Sequence, residues 1–104
     1  MNRIDSVSER FSHEIRKKLG THLKSLILFG SRARGDAAPS SDYDFLILVD
    51  ERNKEIMQLI RQTEVGLIDS YGALSGSLVY SEQEWQLRKN FPLGMNILRE
   101  GISL

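Results

Sequence analysis

Two short stretches decide how this sequence is read: Leu28-Phe29-Gly30-Ser31-Arg32-Ala33-Arg34-Gly35-Asp36, and, a few residues on, Ser41-Asp42-Tyr43-Asp44-Phe45. The first is preceded by Leu23-Lys24-Ser25-Leu26-Ile27, too short and too apolar toward its end for an exposed helix, so residues 23 to 29 read as a buried strand that runs straight into Gly30. Glycine lets the backbone approach a ligand, and the amides of a following turn, with the Ser31 hydroxyl, can bind phosphate oxygens. Ser31 to Gly35 is either one helical turn or a tight loop. The second stretch begins polar and becomes wholly apolar through Phe45-Leu46-Ile47-Leu48-Val49, as a central strand does when only its first end reaches solvent.

Side chains alternate along a strand, so Asp42 and Asp44 share a face, about 6 to 7 Å apart along the chain. Two like charges at that separation repel unless a cation joins them. Magnesium fits, because it takes hard oxygen ligands and commonly combines one or two carboxylates with substrate phosphates. The alternative is that both acids are merely solvated at the mouth of the strand. Arg34, and less directly Arg32, can add positive charge toward a triphosphate; either can instead be a surface guanidinium, or a salt bridge holding the loop to Asp36 or Asp42. A phosphate turn after one strand and a carboxylate pair opening the next are the parts that phosphoryl or nucleotidyl transfer requires. Neither a Walker loop nor a dinucleotide fingerprint is present, since the lysine-serine/threonine ending and the third glycine are missing.

Around this centre the pattern extends both ways. Ile4, Val7, Phe11, Ile15 and Leu19 recur at helical spacing, giving a helix over about 5 to 19, with Ser6-x-x-Glu9 as a capping box and Gly20 as the stop. Residues 36 to 41 are loop. Ile56, Leu59, Ile60, Thr63 and Leu67 predict a helix over about 53 to 69, residues 74 to 80 a third strand, Ser81-x-x-Glu84 the cap of a short helix, and Pro92 the start of a last helix closed by Gly101. The expectation is an α/β (α+β) chain of one domain, 1–104, with one mixed three- to four-stranded sheet packed with helices.

With 104 residues, 40% of them hydrophobic, the chain can bury one modest core. Fourteen basic and fourteen acidic residues cancel, so no global electrostatic case for nucleic acid or an anionic membrane arises. The lack of cysteine removes disulfides, thiolate metal sites and cysteine nucleophiles, and fits a cytoplasmic protein. His13 and His22 are too isolated for a metal cluster. The charged stretch Met1–Phe11 lacks an apolar signal core, and no run approaches the roughly 20 apolar residues that span a bilayer. Trp85, Tyr80 and Phe91 are read as core or subunit contacts.

At residues 28–36 and 41–45 the sequence resembles the nucleotidyltransferase superfamily related to polymerase beta, in its minimal stand-alone bacterial form. Ten residues separate Ser31 from Asp42, the spacing of the Gly-Ser-x10-Asp-x-Asp pattern in the minimal nucleotidyltransferase antitoxins paired with HEPN-domain toxins. Val79 to Trp85 and Ile97 to Ile102 also resemble small members. The resemblance implies that Gly30 and Ser31 bind a nucleoside triphosphate, to which Arg34 is the candidate added charge, that Asp42 and Asp44 are the catalytic carboxylates and hold Mg2+, and that AMP passes from ATP to a hydroxyl, with a tyrosine of a HEPN toxin as one acceptor. Full members place a third carboxylate on the third strand, where Ser75 or Ser77 is expected to fall in this chain. That departure motivates the alternative of a catalytically impaired binding module that neutralises or scaffolds a partner protein by contact. A face around Trp85 or Phe91 would serve such a partner or a second copy of the chain.

Overall fold

A computed structural model of the chain describes residues 4–104; the first three residues of the charged stretch Met1–Phe11 lie outside the described residues. Helix α1 (Ser6–Leu19) leads through a 3-10 turn (Gly20–His22) into strand β1 (Leu23–Phe29) and a single helical turn, α2 (Ser31–Arg34). Strand β2 (Tyr43–Val49), helix α3 (Lys54–Tyr71), strand β3 (Ser75–Ser81), helices α4 (Glu82–Arg88) and α5 (Pro92–Glu100) and a short strand β4 (Ile102–Ser103) follow. The sheet order is β3-β2-β1-β4; β2 pairs antiparallel with β1 and parallel with β3. This is the α+β arrangement with one mixed three- to four-stranded sheet that the sequence predicts, with β4 as a fourth strand whose position no sequence pattern marked. Two residues carry too little pattern to be read as a strand, and β4 exists only because Gly101 ends α5 beside β1, where Leu28 pairs with Ile102.

Strand β2 organises both faces. Tyr43, Phe45, Ile47 and Val49 pack with Phe11, Ile15 and Leu19 of α1 and Ile56, Ile60 and Leu67 of α3. Phe11 and Phe45 stack with centroids 4.0 Å apart, an aromatic contact worth about 0.5–1.5 kcal/mol beyond its buried area. The alternate residues Leu46 and Leu48 face the other way, into a smaller cluster with Trp85 of α4 and Ile97 of α5. Asp44 stands on this second face by the same alternation.

One local reading changes, one holds and one is extended by two residues. The first helix is capped by Asp5, whose carboxylate accepts from the Ser8 amide at 2.9 Å, not by a Ser6 capping box. Asp5 is extended and reaches back over the first turn, while Ser6 is already helical. The Ser81–Glu84 capping box forms as expected, both of its hydrogen bonds present. Helix α3 continues through Gly66 to Tyr71, because Gly66 is exposed and costs only about 1 kcal/mol in a helix whose buried face is complete.

Candidate active site

The loop between β1 and β2 folds back so that its two ends meet. Gly30 has φ 74°, and a Cβ built on it would lie 2.2 Å from Oδ2 of Asp44. Only glycine fits, both for its left-handed backbone and because the Asp44 carboxylate occupies the space a side chain would need. The turn after it is tight. The Gly30 carbonyl accepts from the amides of Ala33 (3.1 Å) and Arg34 (3.0 Å), and the Ser31 carbonyl from Gly35 (3.0 Å) and Asp36 (3.2 Å). The amides of Ser31 and Arg32 open that turn, and first-turn amides of this kind can donate to an anion.

Asp44 is half-buried and Asp42 exposed at the start of β2. Burial pushes the Asp44 carboxyl above its usual range, the Asp42 charge pushes it further, and Arg34 opposes both. Such a carboxylate favours a cation nearby. A carboxylate against the Gly30 turn with a second acid close by is a donor set that would suit magnesium, which fills its remaining positions with water and phosphate. Among the described residues no group of three or more His, Cys, Asp or Glu side chains is placed to hold a metal, so Asp42 and Asp44 are the protein donors this site could offer.

The two arginines separate in role. Arg32 donates to the carbonyls of Ser41 (Nη2 at 2.8 Å, Nε at 3.3 Å) and Pro39 (3.0 Å) and lies 4.3 Å from the centroid of the Tyr43 ring. It therefore laces residues 39–41 into the approach to Asp42, a positioning role rather than the charge toward a triphosphate that the sequence allowed. Arg34 is ion-paired through Nε to Asp36 (3.2 Å) and through Nη1 to Glu100 at the end of α5 (3.2 Å). Hydrogen bonds to Asp36 and then Glu100 raise its pKa, so it stays cationic next to Asp44.

Behind the carboxylates stands a clamp that the sequence reading missed. The Tyr43 hydroxyl donates to the Asp5 carboxylate, the same group that caps α1. Burial, then this hydrogen bond, pushes the Tyr43 hydroxyl up to about 12. For Asp5, burial works to raise the pKa but is outweighed by hydrogen bonds from Tyr43 and Ser8, and the carboxyl sits below its usual range. A signal was available: Tyr43 lies between two aspartates on one face, so alternation sends it to the opposite, buried face, where a phenol needs an acceptor.

The third strand corrects the reading of Ser75 and Ser77. Both share the face of Val79, toward α1 and α3; Ser77 donates to Glu64 of α3 at 3.2 Å, and the Ser75 hydroxyl is buried without a hydrogen-bond partner among the described residues. The residue beside Asp44 in the parallel register is Gly76. Thus β3 places no side chain beside Asp44, where a third carboxylate was expected. Trp85 is buried, whereas Phe91 is 59% exposed along with Leu87, Leu93, Met95 and Leu98, so the expected contact face is centred on the outer side of α4 and α5 rather than on Trp85.

Comparison with known proteins agrees with this geometry. A protein of Methanocaldococcus jannaschii named "Putative protein adenylyltransferase MJ0604" is 33% identical over 101 residues, 97% of this chain and 96% of that protein. Among solved structures, a toxin-antitoxin complex with AMP-PNP superposes with a TM-score of 0.64 at 18% identity, covering 91% of this chain and 70% of that one. A mutant of the toxin-antitoxin MntA-HpeT superposes at 0.66 and 15% identity, covering 99% and 72%; both likenesses concern the fold. The nucleotidyltransferase domain family matches residues 8–93, a span that holds the Gly30-Ser31 turn, both aspartates and all of β3, and the chain belongs to that family.

Proposed function

We propose that this nucleotidyltransferase moves AMP from ATP onto a hydroxyl of a partner protein, with Mg2+ at Asp42 and Asp44 and the triphosphate on Gly30, Ser31 and Arg34. The observation that carries this reading is the contact between the Gly30 backbone and the Asp44 carboxylate, which sets a phosphate turn and a carboxylate pair against each other. The identity to a protein named as an adenylyltransferase favours AMP and a protein acceptor.

When bound, magnesium neutralises phosphate charge and orients the α-phosphate for in-line attack. The chain's own residues do the rest. Asp42 and Asp44 hold the cation, the Ser31 and Arg32 amides fix phosphate oxygens, and Arg34 keeps a positive charge beside them. Arg32 and Tyr43 hold the backbone of residues 39–43 so that the aspartates need not reorganise.

Gly76 bears on the acceptor. With no carboxylate on β3 to take its proton, the acceptor must release it readily. A phenol, with an unperturbed pKa of about 10, does so far more easily than an alkyl hydroxyl. A tyrosine is therefore the favoured acceptor, and the Gly-Ser-x10-Asp-x-Asp resemblance makes a HEPN-type toxin its proposed carrier. The exposed apolar side of α4 and α5 supports a lasting complex with that partner.

Incubating the chain with ATP labelled on the α-phosphate, magnesium and the protein encoded beside it should label a tyrosine of that protein. Absence of label, or equal labelling by Asp42→Asn and Asp44→Asn, would sink the reading. Neutralisation of the partner that survives both substitutions and omission of ATP would favour contact alone.

A further inference from the structure

We infer that Gly76 is the acceptor's specificity determinant: its bare backbone forms the notch in which the aromatic ring of an incoming tyrosine lies while its hydroxyl meets the α-phosphate. The inference rests on the nucleotidyl-transfer reading above and deepens it.

Asp44 has two strand neighbours on its own face, Phe29 on β1 and Gly76 on β3. The first is filled by a partly buried aromatic ring. The second is exposed, and a Cβ built on Gly76 would meet nothing within 4 Å. Since β3 ends the sheet order, the notch opens sideways to solvent and can admit a side chain carried by another protein. Along the strand it is bounded on the same face by Leu78, packed against the second core cluster. An apolar wall, a bare edge glycine and an adjacent carboxylate suit a flat ring with one polar end; aromatic side chains covering edge glycines are a recurrent way of completing a sheet. The opposite flank of the carboxylates offers no equivalent, because Arg34 is held there by Asp36 and Glu100.

The step balances without further groups. The phenolic oxygen forms a bond to the α-phosphorus, the bond from that phosphorus to the oxygen bridging to the β-phosphate breaks, and pyrophosphate leaves with the electron pair. The phenolic proton passes to water on the open side of Gly76.

Because the notch is empty, filling it is a clean test. Gly76 has no positive φ and a Cβ has room, so Gly76→Val should fold, and a β-branched residue suits a strand. N-acetyl-tyrosinamide and N-acetyl-serinamide serve as small acceptors with α-labelled ATP and magnesium. Wild type should label the tyrosine probe and not the serine probe. Gly76→Val should lose labelling by about tenfold or more, with ATP affinity unchanged within about twofold and a melting temperature no lower than wild type. Gly76→Asp should admit the serine probe by supplying the missing base. Undiminished labelling by Gly76→Val, equal use of serine and tyrosine by wild type, or ATP binding with no labelling of either probe would each overturn the inference. Failure of wild type to bind ATP with magnesium would instead bring down the parent reading, and the inference with it.

Discussion

The two faces of β2 are built from the same seven residues and obey opposite rules. Toward α1 and α3, Tyr43, Phe45, Ile47 and Val49 are buried, two of them in ring contacts, and the one polar group among them, the Tyr43 hydroxyl, has its acceptor in Asp5. Toward α4 and α5, Leu46 and Leu48 pack into a small cluster, but Asp44 is a half-buried carboxylate raised in pKa by burial and by Asp42, with a bare glycine beside it. One face stabilises the chain; the other carries the proposed site, whose half-buried carboxylate is costly to fold. Such local cost at functional residues is common and is supported by the surrounding structure.

Substitutions can break this contrast. The largest effect is expected from Phe45→Ala on the packed face: a loss of about 3–5 kcal/mol, seen in denaturant unfolding, with nucleotide affinity of the remaining folded protein unchanged. Asp44→Asn should do the reverse. Transfer should fall by on the order of 10²–10³, while the melting temperature without metal rises by a few degrees. The sign follows from the raised pKa: the native carboxyl binds its proton more tightly than the unfolded one, so its ionised form costs stability above that raised value, and the cost fades as pH falls through it. A melting temperature lowered by Asp44→Asn at neutral pH would contradict the contrast.

Two smaller effects test how the faces communicate. Arg32→Lys keeps the charge but loses the fork to Ser41 and Pro39 and the stacking on Tyr43. Stability should fall by about 1 kcal/mol, with kcat for AMP transfer reduced more than ATP affinity. Asp5→Ala removes the α1 cap and the Tyr43 acceptor together, costing about 1 kcal/mol in thermal or chemical unfolding. Asp5 has a lowered pKa, so its contribution is full above the unfolded carboxyl value and is lost as pH falls through the folded one. The variant should therefore lose less stability on acidification than wild type does.

Much of this was legible in residue order. The apolar run before Gly30, the polar-to-apolar switch at Asp42 and the spacing between them place a turn and a carboxylate pair at neighbouring strand ends, because strands that flank a short loop tend to pair. Strand β3 was legible as an element but not as a face: Ser75 and Ser77 looked like replacements for an acid, yet the alternation that turns Val79 inward carries them inward too. Arg32 and Arg34, two residues apart, were equivalent in sequence; different partners, Ser41 and Pro39 for one and Asp36 and Glu100 for the other, distinguish them.

The sequence by itself determined the sheet's two central strands, the turn at Gly30 between them and the closeness of Asp42 to Asp44, since these follow from local chemistry and the two-residue period of a strand. Tertiary structure decided what surrounds them. Asp5 meets Tyr43 across 38 positions and Glu100 meets Arg34 across 66, and Gly76 comes to lie beside Asp44 only through the register that α3 sets between β2 and β3. Contacts between residues so far apart in the chain depend on how whole elements pack, which no local pattern encodes.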